Sequence, residues 1–203
     1  MKTKKKALLT VLCAAALVFG SVFGTYAYLT DTKEVTNTFT VGNVRITLNE
    51  KDVDHDSNTQ DNVTVGGVVR DTANKYHLLP GKSYVKDPTI HVDAKSEGCW
   101  LFVKVENGIA GIEDSNNTIA SQMTTHGWTL IDDQNKIYAY RSIANANDNI
   151  VVFDGFKVKG DADEAALTAV KGATIKVTAY AIQAEGFTTA ADAWTGASSA
   201  FTA

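Results

Sequence analysis

The tract Asp52-Val53-Asp54-His55-Asp56, with Asp61 further on, groups hard oxygen ligands at alternating positions. Carboxylates so spaced suit calcium, which takes six to eight oxygen ligands. The tract departs from an EF-hand loop at two decisive places, since Ser57 stands where the turn glycine belongs and Val63 where the terminal bidentate acid belongs. Asn58, Thr59, Gln60 and Asn62 give it the composition of a solvated loop between strands. Two readings therefore stay open: a polar loop, or a calcium site formed by Asp52, Asp54, Asp56 and Asp61.

Other chemistry finds no constellation. No pair among His55, His77, His91 and His126 has the His-Glu-x-x-His spacing that sets two zinc ligands on one helical face. There is no Gly-x-Ser-x-Gly elbow for a serine nucleophile. Gly66-Gly67 interrupts an apolar stretch and reads as a bulge or bend in a strand rather than a phosphate loop. The carboxylates are scattered through loops, with no apolar surroundings to separate a general acid from a general base. No catalytic residue and no cofactor is expected, so the chain reads as something other than an enzyme.

The elements that would carry any site are strands. Val44, Ile46 and Leu48 alternate with Arg45, Thr47 and Asn49, the period that sends neighbouring side chains to opposite faces. In Cys99–Glu106, Leu101, Val103 and Val105 share one face while Trp100 and Phe102 share the other with Lys104 and Glu106. That strand is expected to be central at its start. Trp128–Ile131 and Lys136–Arg141 flank a four-residue polar loop, Asp132–Asn135, as in a hairpin. Ile150–Phe153 and Phe156–Val158 continue the pattern around the turn Asp154-Gly155. Thr174–Gln183 ends the series, with Ile175, Val177, Ala179 and Ala181 inward and Lys176, Thr178 and Tyr180 outward.

Helical signals are short. Asp161 with Glu164 resembles a capping box ahead of Ala165-Ala166-Leu167. Asn116–Thr125 and Thr188–Trp194 read as further helical turns, the latter seating Trp194 against a sheet. About nine strands at turn-separated spacing, with helices only as connectors, predict an all-β fold. The expected architecture is a single antiparallel β-sandwich, jelly-roll-like, preceded by a signal-peptide helix.

That leading helix follows from Lys2, Lys4, Lys5 and Lys6 ahead of the apolar run Ala7–Gly24, which ends in Thr25-Tyr26-Ala27. A basic start, an apolar run and small residues at a cleavage point define a secretory signal over residues 1–27, cut between Ala27 and Tyr28. The 203 residues carry 19 bases against 23 acids; without the four leading lysines the remaining chain has 15 against 23, a net charge of −8. Lacking a clustered basic surface, it is not a nucleic-acid binder. Cys99 is the only cysteine beyond the signal, so no internal disulfide forms. Beside Trp100 it reads first as a buried inert thiol and second as a link between chains.

The segment Gly24-Thr25-Tyr26-Ala27-Tyr28-Leu29-Thr30-Asp31, then Asn37-Thr38-Phe39-Thr40-Val41-Gly42-Asn43-Val44, resembles the start of the TasA/camelysin family. Leu79-Pro80-Gly81, Asp87-Pro88-Thr89-Ile90 and the closing Ala179–Phe187 with Ala193-Trp194 extend the resemblance over most of the chain. It implies an exported protein of a Gram-positive bacterium, processed by a SipW-type signal peptidase, and retained at the membrane only before cleavage. It further implies assembly into fibres of the biofilm matrix or cell surface, as a homopolymer or with sister matrix proteins. In such fibres the freed segment, here residues 28–38, inserts as a donor strand into a neighbour. Tyr28, Leu29 and Val35 would contact that neighbour, since two aliphatic residues among polar ones cannot anchor a strand alone. Two alternatives accompany this expectation. One is a camelysin-like secreted metallopeptidase, for which no zinc motif exists here; the other is a non-polymerising accessory or adhesin subunit of a surface fibre.

Overall fold

The computed structural model describes residues 43–54, 62–65 and 67–201. Eleven strands form antiparallel sheets: β1 Ile46–Lys51, β2 Asn62–Val65, β3 Val68–Asp71, β4 Ser83–Val85, β5 Thr89–Val92, β6 Cys99–Asn107, β7 Trp128–Asp132, β8 Ile137–Tyr140, β9 Asn149–Val151, β10 Gly155–Lys157 and β11 Ile175–Gln183. One sheet has the order β2-β3-β1-β5-β9 and another β11-β6-β8-β7, while β10 pairs with β4 alone. Neighbours such as β1 and β5, or β6 and β11, are distant in sequence, as in Greek-key sandwiches. Ile90 and Val92 from the first sheet share one core with Leu101, Val103 and Val105 from the second. The all-β expectation is met, and among the described residues no sheet closes into a barrel.

Strand β6 is central, as its two apolar faces require. Cys99, Leu101 and Val103 enter the main core, and Trp100 and Phe102 enter a second cluster on the far face with Ile137 and Ile182. Helix α3, Ala190–Ala197, covers that far face. Thr189 starts it by accepting from the Asp192 N–H at 3.1 Å, and the Trp194 ring packs tilted against Phe102, with centroids 4.9 Å apart. The expected seat for Trp194 is therefore occupied.

Two local expectations need correction, and a third gains its context. The bulge or bend expected at Gly66-Gly67 falls between two strands rather than inside one: Val65 of β2 pairs with Val68 of β3, and Gly67 takes φ +83°, which favours glycine. Asp154-Gly155 links two different sheets. It passes the chain from β9, which pairs with β5, to β10, which pairs with β4. Asp161 is not the cap of the next helix, α2 Glu164–Ala169, because Asp163 accepts from the Ala166 N–H at 2.8 Å. The nearer acid wins because a side-chain acceptor must sit one residue before the first turn to reach its free donors.

The hairpin between β7 and β8 forms with its loop one residue later than expected, since Asp132 pairs with Ile137 and Lys136 takes φ 55°. Asp132 holds the turn through the Asn135 N–H and side-chain amide. Helix α1, Ile119–Thr125, lies inside the expected span and is capped by Thr118. Its buried Gln122 accepts from the N–H groups of Asp154 and Gly155 and donates to the Gly155 carbonyl. That amide holds the inter-sheet turn in place.

Candidate functional site: the open seam between the sheets

Strand β11 pairs with β6 through all nine of its residues, Ile175↔Asn107 to Gln183↔Cys99. Among the described residues no strand pairs with its other edge. Across from it, β1 pairs with β5 through Ile46–Asn49 and reaches β3 only at Glu50 and Lys51. Between these margins the side chains expected to face inward do so, but they are only partly covered. Ile46 and Leu48 on one side and Ile175, Val177, Ala179 and Ala181 on the other all touch the main core while remaining half-buried.

The gap is a trough. A cavity of about 570 Å³ lies where Val44–Thr47 approach Ala179–Ala181, and one of about 970 Å³ lies where Leu48–Glu50 approach Ile175–Val177. The opposite margin is different, because the buried Trp128 of β7 donates its indole N–H to the Val151 carbonyl of β9 at 3.0 Å. One seam is tied by a side-chain hydrogen bond, while at the other β1 and β11 come into contact without pairing.

At the wide end of the trough sits a buried ion pair that the alternation of β1 hinted at. Glu50 follows Ile46 and Leu48 on the inward face, where a charge needs a partner. Lys86 supplies it, with Nζ 2.5 Å from Oε2, and both residues are buried. Burial, and after it the carboxylates of Glu50 and Asp87, push the nearby Tyr76 phenol well above the usual tyrosine range.

Of the four calcium candidates, Asp52 and Asp54 approach each other and are joined by the buried Asp71, all within 4.8 Å. Asp56 and Asp61 lie outside the described residues. Asp71 was not evident from sequence, as it comes from β3, which pairs with β1 although β2 lies between them in the chain. These acids shape a loop: Asp71 accepts from the N–H groups of Thr72 and Ala73, and Asp54 accepts from the Lys75 N–H at 2.6 Å. Hydrogen bonds to backbone account for the placement of Asp71 and Asp54, and we assign no metal.

The described histidines are dispersed. His91 contacts the side-chain oxygens of Asn49 and Asn149, and His126 contacts Asp154 at 2.9 Å. No histidine joins a group of three metal-ligating side chains among the described residues. Cys99 is fully buried and unpaired, and burial raises its thiol to about 11. The cleavage pair Ala27 and Tyr28, and the donor-strand residues Leu29 and Val35, lie outside the described residues.

No helix of the described residues is long and apolar enough to cross a membrane. Comparison with family profiles, with curated proteins and with solved structures returns no match to this chain.

Proposed function

We propose that the protein is a secreted structural subunit of a bacterial matrix or surface fibre, and that a strand from a neighbouring copy fills its open seam. The observation carrying this reading is the trough itself: two rows of half-covered aliphatic side chains flank two sheet margins with backbone groups to offer. An extended peptide laid there gains main-chain hydrogen bonds from the edges and buries its alternate side chains. Residues 28–38 are the donor that fits, being polar with sparse aliphatic residues and freed when the signal is removed between Ala27 and Tyr28. Processing by a SipW-type peptidase then acts as the assembly switch.

The test compares chains beginning at Tyr28 and at Phe39, by electron microscopy and sedimentation. The longer chain should form fibres and the shorter should remain monomeric. The net charge of −8 beyond the signal opposes close approach, so fibres should form faster as salt rises to about 0.1 M, where the Debye length is about 10 Å. If neither chain polymerises across salt and pH, the accessory-subunit reading replaces this one. Stoichiometric zinc with chelator-sensitive cleavage of casein would instead favour the metallopeptidase.

A further inference from the structure

The ion pair at the wide end of the trough has a third member. Asn74, in the loop after β3, donates its side-chain amide to Glu50 Oε1 at 3.0 Å, while Lys86 Nζ donates to Oε2 of the same carboxylate at 2.5 Å. A primary amine and a carboxamide thus share one buried acid. The amide is also held firmly: Nδ2 donates to the Lys51 carbonyl at 2.9 Å, and Oδ1 accepts from the Val53 N–H at 2.8 Å. The turn built on Asp71 and the Asp54 bond to Lys75 fix Asn74 from both sides. Leu48, Tyr76 and Phe156 line the same cavity.

We propose that Lys86 and Asn74 become joined by an intramolecular isopeptide bond, with Glu50 carrying the protons. The reaction starts with one proton passing from Nζ to Oε2 across their 2.5 Å contact, which leaves a neutral amine beside a neutral acid. The flexible lysine stem brings the Nζ lone pair to the Asn74 Cγ, forming the N–C bond. The oxygen that gains negative charge is Oδ1, which already faces the Val53 N–H, so its stabiliser is in place before the reaction. Glu50 returns its proton to Nδ2, the Cγ–Nδ2 bond breaks, and ammonia leaves. The second amine proton passes to the carboxylate and out with the ammonia as ammonium. Glu50 ends unchanged, and no oxidant or reductant is required. Holding amine, amide and acid together replaces a slow bimolecular aminolysis with a unimolecular step.

The product would clamp the loop between β3 and β4 to the end of β4 beneath the trough, whether or not subunits polymerise. The test is mass spectrometry on the purified folded protein. The intact mass should be lower than that of the linear chain by one ammonia, and trypsin should yield peptides 71–75 and 83–95 joined through Asn74 and Lys86, with no cleavage after Lys86. Lys86→Arg and Asn74→Ala should restore the linear mass, as should Glu50→Gln if it folds by circular dichroism. A folded wild-type protein with the linear mass and normal cleavage after Lys86 would overturn the proposal. So would ammonia loss that survives Lys86→Arg, since it would arise elsewhere.

Discussion

Trp128 and Val151 join the edges of two different sheets through a single hydrogen bond, indole N–H to carbonyl, 3.0 Å long. The tryptophan is buried against Tyr140, with ring centroids 5.2 Å apart, so its orientation is fixed by packing. Trp128→Phe keeps most of that packing and withdraws the donor, which should lower stability by about 1–3 kcal/mol. Trp128→Ala adds a cavity and should cost about 3–5 kcal/mol. Urea denaturation of both variants checks the order, and a Trp128→Phe protein as stable as wild type would mean that the hydrogen bond contributes little to tying this seam.

On the open side, Val177 should matter more to assembly than to the subunit. Its side chain is half-covered in the single copy, so Val177→Lys should cost the fold only about 1 kcal/mol. On the proposed strand exchange the same lysine would set a charge where the donor strand packs, and fibres should fail to form. Denaturation and electron microscopy on one preparation separate the effects. A folded Val177→Lys protein that still makes normal fibres would place the acceptor elsewhere.

The sandwich was readable because period two survives wherever a strand has one covered face, as in β1 and the first half of β11. Where the sequence reading failed, tertiary context decided the outcome. Gly66-Gly67 looks alike as a bulge or a tight turn until Val65 pairs with Val68. The three-residue β4 is too short to show a period, and pairing with β10 creates it. The site was half legible: β1 and β11 announced their inward rows, but that the rows face an unfilled gap depends on which strands pair. Asp71 and Asn74 reach β1 only through the β2–β3 hairpin, so no spacing in the sequence relates them to Glu50.

Gly155 is fixed by a close backbone approach. A Cβ built there would lie 2.2 Å from the Tyr84 carbonyl oxygen, across the β4–β10 pair. Backbone cannot yield as a side-chain tip can, so Gly155→Ala must separate the pair and disturb the Gln122 bonds. The expected loss is about 3 kcal/mol, the upper end for overpacking. Gly160, with nothing within 4 Å of an added Cβ, is the control. Gly160→Ala should be neutral or stabilise by about 0.4–1 kcal/mol through the unfolded chain. Thermal melts of the two variants should therefore shift in opposite directions or differ by several degrees.

The buried thiol makes a prediction about alkaline pH. Cys99 is raised from 9.0 to about 11, first by burial and then by the charge of Asp148. The folded protein therefore holds the proton more tightly than the unfolded chain does. By linkage, the associated stability is fully present below pH 9 and is lost as pH rises towards 11, because unfolding releases a proton there. Burial likewise raises Tyr76 and Tyr138, so their contributions fall at still higher pH. Cys99→Ala removes the first of these groups. Its stability, lower at neutral pH through lost packing, should decline less steeply than wild type between pH 9 and 11. Parallel denaturation curves across that interval, with equal slopes against pH, would show that the thiol titrates alike in the folded and unfolded chains.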